Sequence, residues 1–238
     1  MTALGAALVF FFGRAASARA QRMCIGFAGG VMSAAAVFSL LVPASERAAQ
    51  TGGMPWLVLT AGFLMGAGAI ALLDRRLEHV PALAGAGADA KKQALMFSAV
   101  TLHNIPEGMA VALACASASE DGPAGLAAAA ALALGVGVQN LPEGAAVALP
   151  LYQGGMGRGR SFLFGLLSGA VEPVFGVLAV LLAAGASGLM PLMMAFAAGA
   201  MMQVVFAQML PDAAACRDGA AAAVIGYALM MALDVALA

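Results

Sequence analysis

The sequence predicts an all-α polytopic membrane protein with eight transmembrane helices that form inverted repeats. The first observation is composition: 63% of the 238 residues are hydrophobic and only 10% are charged, whereas about a quarter of the residues of a soluble domain are charged. The second is the recurrence of apolar runs long enough to cross a bilayer, about 20 residues each. Both indicate a single transmembrane domain over residues 1–238 that has the lipid bilayer as its surroundings.

Eight apolar runs follow one another along the chain, at about residues 2–13, 23–43, 55–73, 94–118, 124–151, 161–184, 189–211 and 219–237. Seven are long enough for a span. The first is short, and we expect it to be incomplete or tucked against the bundle. The longest connection, about residues 74–93, contains Gly85, Gly87 and two lysines and is expected to be a flexible loop.

Basic residues predict the orientation of the spans. Ten of the 11 Lys and Arg residues lie in the connections after spans 1, 3, 5 and 7, and only Arg47 lies in the connections on the other side. Because cytoplasmic connections are enriched in Lys and Arg, eight spans would leave both termini outside. The net charge of −1 argues against a nucleic-acid partner, which would require a basic face.

A six-residue motif occurs twice, at residues 103–108 (HNIPEG) and 139–144 (QNLPEG), each inside an apolar run. Each copy carries a glutamate, Glu107 or Glu143, where a charge costs about 2.5–3.5 kcal/mol on insertion scales. The polar residues three and four positions earlier share a helix face with that glutamate. Since consecutive spans are antiparallel, a pseudo-two-fold axis would relate the copies, as in transporters with inverted repeats and a midplane site.

Span 6 carries a third buried carboxylate, Glu172, which also precedes a proline. Lys and Arg are absent from the middle of these spans, so the acids need another source of positive charge. A divalent cation would supply it, and oxygen ligands with one imidazole suit Zn²⁺, Fe²⁺ or Mn²⁺ better than copper(I). The candidate ligands are His103, Asn104, Glu107, Gln139, Asn140, Glu143 and Glu172.

Other interpretations of the same residues stay open at this point. Protonated carboxyl groups could simply hold helices together, or Asp, Glu and His chains could carry protons without metal. A membrane-embedded metalloenzyme is the main alternative function, although the chain has no HExxH pair. A purely structural scaffold is a further alternative. Asp234, near the end of span 8, is expected to be a helix-packing or interfacial group.

The paired motifs, together with the Glu-Pro of span 6, resemble those of the ZIP (Zrt/Irt-like) metal transporters, especially the bacterial GufA-like branch. The resemblance covers essentially the whole chain. Outside the motifs it rests on segments of spans 2, 7 and 8, namely Gly26–Pro43, Ala198–Met201, Leu210–Asp212 and Ala228–Asp234.

The resemblance implies a transporter in the cytoplasmic (inner) membrane of a bacterium, with both termini outside. It would move divalent metal into the cytoplasm by alternating access, and a homodimer is one assembly seen in the family. We expect Zn²⁺ as the transported substrate, with Fe²⁺, Mn²⁺ and Cd²⁺ as alternatives, and no organic cofactor.

The resemblance also implies a binuclear site. Carried over by position, the first ion would be held by His103, Glu107, Gln139 and Glu143. Asn104, Asn140 and Glu172 would complete the second position, with Glu107 and Glu143 as bridges. Some relatives have Asp where this chain has Asn140, which removes one charge from the second position.

Overall fold

The computed structural model describes residues 1–11, 18–50, 54–78, 88–184 and 189–237, and within these ranges all regular structure is helical. The α-helices in this part of the chain are α1 (Thr2–Ala7), α2 (Ala18–Ala34), α3 (Val42–Gln50), α4 (Pro55–Glu78), α5 (Ala88–Gln153), α6 (Arg158–Gly169), α7 (Val171–Ala184), α8 (Leu189–Val204), α9 (Leu210–Ala214) and α10 (Arg217–Leu237). A 3-10 turn at Leu8–Phe10 extends α1. Two π-helical segments, Ala35–Leu41 and Val205–Met209, join α2 to α3 and α8 to α9.

Six helical stretches of the described chain are long and apolar enough to cross a membrane: Arg22–Gln50, Pro55–Arg76, Gly122–Leu149, Arg158–Ala184, Leu189–Ala214 and Arg217–Ala236. They correspond to predicted spans 2, 3, 5, 6, 7 and 8. Predicted span 4 falls in the first half of α5. Predicted span 1 is helical or 3-10 from Thr2 to Phe10, and its residues 12–13 lie outside the described residues.

The long helix α5 contains spans 4 and 5, and its direction changes at Gly122. This residue has φ 67° and ψ −148°, a backbone conformation that strains a residue with a side chain but suits glycine. The two halves fold back on each other, as shown by the hydrogen bond that Gln139 in the second half donates to Glu107 in the first. The antiparallel hairpin predicted for spans 4 and 5 therefore has a one-residue reversal.

Proline interrupts the predicted sixth span. Pro173 has no N–H to donate to the carbonyl of Gly169, four residues earlier, and the helix stops at Gly169 and restarts at Val171. The π-helical segments likewise end two residues before Pro43 and Pro211. Three spans are thus interrupted close to a proline.

Several helices extend beyond the apolar runs that predicted them. The flexible connection predicted at about 74–93 is helical at both ends, since α4 continues to Glu78 and α5 begins at Ala88. Arg75 and Arg76 on one side, and Lys91 and Lys92 on the other, are good helix formers, so a helix can continue into a charged region. Residues 79–87 lie outside the described residues.

The helices pack in close pairs, with α2 against α10, α4 against α8, and α5 against α1, α6 and α7. The largest cluster of buried apolar side chains lies among α2, α5, α8 and α10, where Met32, Leu113, Met201 and Met230 are fully buried. Alanines make up much of the rest of that cluster, as expected where small residues let membrane helices approach closely.

Candidate metal site

The two copies of the repeated motif meet across the α5 hairpin. Glu107 lies 15 residues before Gly122 and Gln139 lies 17 residues after it, so antiparallel halves bring them to the same level. Gln139 Nε2 donates a hydrogen bond to Glu107 Oε1, and both side chains are fully buried. The predicted clustering of the two motifs is therefore present in the structure.

Glu172 joins the hairpin from the first turn of α7. Asn140 Nδ2 lies 3.1 Å from both Oε1 and Oε2 of Glu172, and Thr2 Oγ1 donates to Oε1 over 3.1 Å. Because the helix breaks before Val171, the carboxylate of Glu172 stands at the start of a new helix, next to the hairpin. The third predicted acid thus lies beside the second copy of the motif.

Asn104 belongs to the same polar region. Its Nδ2 donates to the carbonyl oxygen of Ser168 over 2.8 Å, and the hydroxyl of Ser168 in turn donates to the carbonyl of Gly165 over 2.9 Å. In all three carboxamides of the site, the NH₂ group is bonded to a protein oxygen. A carboxamide has its only acceptor on the other side, so each amide oxygen is directed away from these partners.

Six oxygen atoms of the site are buried and have no hydrogen-bond partner in the described part of the chain. They are Asn104 Oδ1, Glu107 Oε2, Gln139 Oε1, Asn140 Oδ1, Glu143 Oε1 and Glu143 Oε2. Buried polar atoms are nearly always paired, and an exception demands a partner such as water or an ion. Carboxylate and amide oxygens accept hydrogen bonds and do not donate them, so the partners that suit these six atoms are a cation or a water molecule.

The carboxyl groups of Glu107, Glu143 and Glu172 lie near one another in this polar region. Among the described residues, however, no three His, Cys, Asp or Glu side chains form a metal-binding cluster by themselves. Coordination by the described side chains alone would therefore have to include amide oxygens. The side chain of His103 lies outside the described residues; its helical position is one turn before Glu107, at the level of Glu143 on the other half of the hairpin.

The glycines that end the two motifs allow neighbouring helices to approach. A Cβ on Gly108 would collide with the backbone of Glu172, and a Cβ on Gly144 would collide with the backbone of Thr2. Glycine at these positions therefore brings α7 and α1 against the hairpin. Close approach of a neighbouring helix is therefore the role that the structure shows for these two glycines.

Sequence reasoning missed two participants, Thr2 and Ser168. Ser168 stands four residues before Glu172 and has a polar side chain in an apolar run, which could have drawn attention to it. Thr2 has no such signal, because nothing local connects it to a residue 170 positions away. Asp234 has a different partner: Ser39 Oγ donates to its Oδ1 over 2.7 Å, which joins α10 to the π-helical segment after α2.

Comparison with known proteins points to one family. A family model described as ZIP Zinc transporter matches residues 84–234. The chain is 32% identical to zinc transporter ZIP11 of Homo sapiens, over 100% of this chain and 94% of that protein. It is 35% identical to zinc transporter GufA of Myxococcus xanthus, over 93% of this chain and 89% of that protein. It is also 35% identical to zinc transporter ZIPB of Bordetella bronchiseptica, over 99% of this chain and 77% of that protein.

Proposed function

The chain belongs to the ZIP family of zinc transporters, and from this membership we propose that it moves divalent metal ions, Zn²⁺ first among them, across a membrane. The path runs through the polar cluster of the α5 hairpin and the start of α7. The observation that carries the proposal is the set of six buried, unpartnered oxygen atoms contributed by both halves of the hairpin. The family consists of transporters, which argues against the metalloenzyme alternative.

The proposed site holds two ions. His103, Glu107, Gln139 and Glu143 hold the first, and Asn104, Asn140 and Glu172 complete the second, with Glu107 and Glu143 as bridges. The oxygen atoms without partners on Glu107, Gln139 and Glu143 support the first position, and those on Asn104 and Asn140 support the second. Fe²⁺, Mn²⁺ and Cd²⁺ are alternative substrates, because carboxylate, amide and imidazole ligands serve all of them.

The proposed protein has eight spans in the inner membrane of a bacterium, with both termini outside, and it moves metal towards the cytoplasm. The distribution of basic residues supports this orientation. In the described chain, the six apolar stretches and the first half of α5 account for seven spans. The remaining span is span 1, and we propose that the short helical segment Thr2–Phe10, which packs against α5 and α6, is part of it.

Inverted repeats and alternating access complete the proposal. The proposed pseudo-two-fold axis exchanges span 4 with span 5, span 1 with span 6, span 2 with span 7 and span 3 with span 8. Under this exchange, a close contact between two spans becomes a close contact between two other spans. Two observed pairs agree with it: Gly144 of span 5 packs on Thr2 of span 1, as Gly108 of span 4 packs on span 6. The same axis exchanges the closely packed helices α2 and α10, of spans 2 and 8, with the closely packed helices α8 and α4, of spans 7 and 3. Transport would then move α1 and α5–α7 relative to α2–α4 and α8–α10.

The proposal is tested by saturable uptake of radioactive ⁶⁵Zn²⁺ into proteoliposomes. We expect the wild type to accumulate zinc and Glu143→Ala to fall to the background of protein-free vesicles, because both carboxylate oxygens of Glu143 are buried and unpartnered. Glu46→Ala is the matched control, since Glu46 is an exposed glutamate on α3. Equal uptake by wild type and Glu143→Ala would exclude the site, and no uptake of Zn²⁺, Fe²⁺ or Mn²⁺ by the wild type would exclude transport.

A further inference from the structure

Glu172 differs from the other acids of the site. Its Oε1 accepts hydrogen bonds from Thr2 and Asn140, and its Oε2 accepts one from Asn140. Glu107 and Glu143 each keep at least one buried oxygen without a partner in the described chain. The orientation of the Glu172 carboxylate is therefore already fixed by the protein, from two different helices.

Thr2 is itself held firmly in place. It is buried, and its carbonyl oxygen lies where a Cβ on Gly144 would be. Its side chain occupies the space that a Cβ on Gly169 would take. One glycine of the repeated motif and one glycine at the end of α6 thus bring the Thr2 hydroxyl within reach of Glu172.

We propose that Thr2 is a positioning residue for the second metal position, with its hydroxyl orienting the Glu172 carboxylate towards the ion. This inference rests on the proposed function. Carboxylates that bind a metal are commonly oriented by hydrogen bonds from outer residues, and loss of such a partner typically lowers metal affinity about 10–100-fold. Thr2 contacts only Oε1, so Oε2 keeps the freedom to exchange its bond from Asn140 for a bond to the ion.

The test compares Thr2→Val, which keeps the shape of the side chain without the hydroxyl, with Thr2→Ser, which keeps the hydroxyl. The protein carries its affinity tag at the C-terminus so that α1 is unaltered. Equilibrium binding of ⁶⁵Zn²⁺ to the purified protein measures the two classes of site, and uptake at varied zinc concentration measures KM and the maximal rate.

The second position has the neutral Asn140 where some relatives have Asp, so we assign the lower-affinity class of zinc to it. We expect Thr2→Val to weaken this class about 10–100-fold and to raise KM, with the higher-affinity class unchanged. Thr2→Ser should match the wild type. A merely structural role would lower both classes together and would not be rescued by serine. If Thr2→Val does not accumulate, Thr2→Ala replaces it, because alanine also lacks the hydroxyl and, unlike cysteine, cannot bind zinc.

Three results would overturn the inference: wild-type binding by Thr2→Val, an equal loss in Thr2→Ser, or a single class of bound zinc in the wild type. Wild type and Glu143→Ala are measured in the same preparations, so that a failure of this inference can be distinguished from a failure of the proposed function. Absent wild-type uptake contradicts transport itself. Normal wild-type uptake with an unchanged Thr2→Val contradicts only the role of Thr2.

Discussion

At the scale of the residue, the site is organised by the direction of its three carboxamides. Gln139, Asn140 and Asn104 use their NH₂ groups on Glu107, Glu172 and the backbone of Ser168. Each amide oxygen is left buried and unpaired. A carboxylate in the same place could not donate these bonds, so the amides orient their neighbours as well as offering oxygen to a cation.

Gln139→Leu tests this double role. It leaves Glu107 Oε1 buried without a donor, which costs about 1–3 kcal/mol, so we expect a lower melting temperature and loss of zinc uptake. The double variant Gln139→Leu/Glu107→Leu removes both partners, which can be nearly neutral for stability. It should recover the melting temperature but not the uptake. A double variant less stable than Gln139→Leu alone would contradict the account.

Much of the site was predictable from the sequence because the repeated motif lies within two adjacent spans. Helical spacing puts Asn104 and Glu107 on one face, and antiparallel spans put Gln139 opposite them. The contact between Thr2 and Glu172 was not predictable, since it depends on how α1 packs against Gly144 and Gly169. Such packing is a property of the whole bundle and leaves no local pattern.

At the scale of the element, glycine decides which helices touch. Gly144 lies in the second half of α5, where α1 crosses it with backbone against backbone. Gly68 lies in the exposed part of α4, with nothing within 4 Å of the place where a Cβ would stand. The two residues are both helical, yet their surroundings are opposite.

The same substitution should therefore have opposite effects at the two positions. Gly68→Ala is expected to be neutral or to stabilise by up to about 1 kcal/mol through helix propensity. Gly144→Ala forces α1 away from α5, which we expect to cost roughly 1–3 kcal/mol and to reduce zinc uptake. Thermal unfolding in detergent and uptake in proteoliposomes measure both effects. A Gly144→Ala protein as stable and active as Gly68→Ala would show that the contact is not required.

Helix interruptions were only partly predictable from the sequence. The prolines in the motifs, Pro106 and Pro142, have no N–H to donate to the preceding turn, yet the helix continues through both positions. Near Pro173, in contrast, the helix is interrupted at one residue, Ala170, whose backbone angles stay in the right-handed helical region.

At the scale of the whole molecule, α3 is linked to the α5 hairpin by a polar contact. Arg47 Nη2 donates to the carbonyl oxygen of Ser117 over 3.1 Å. Arg47 is also the one basic residue in the connections predicted to lie outside. In the proposed transport cycle, this contact joins the two groups of helices that move relative to each other.

The predicted orientation can be measured with reporter fusions. Alkaline phosphatase fused after Ala238 should be active and green fluorescent protein fused there should be dark, because eight spans with basic residues inside put the C-terminus outside. The matched control is a fusion within residues 79–87, on the predicted inner side, which should give the reverse. Fluorescence at the C-terminus would contradict the predicted topology and, with it, the direction of transport.

The π-helical segment Ala35–Leu41 has a rotational consequence for the span that contains it. An α-helix advances about 100° per residue, and a π turn contains one residue more than an α turn. The side chains of α3 are therefore rotated about the helix axis from the positions that an uninterrupted α-helix continuing from α2 would give them. The change of phase accompanies a change of neighbour, from α10 beside α2 to α4 and α8 beside α3. Deleting one residue from the segment would remove this extra residue and leave Arg47 facing Ser117, whereas deleting one residue from the α-helical part of the span would turn Arg47 by about 100° around the helix axis, away from Ser117.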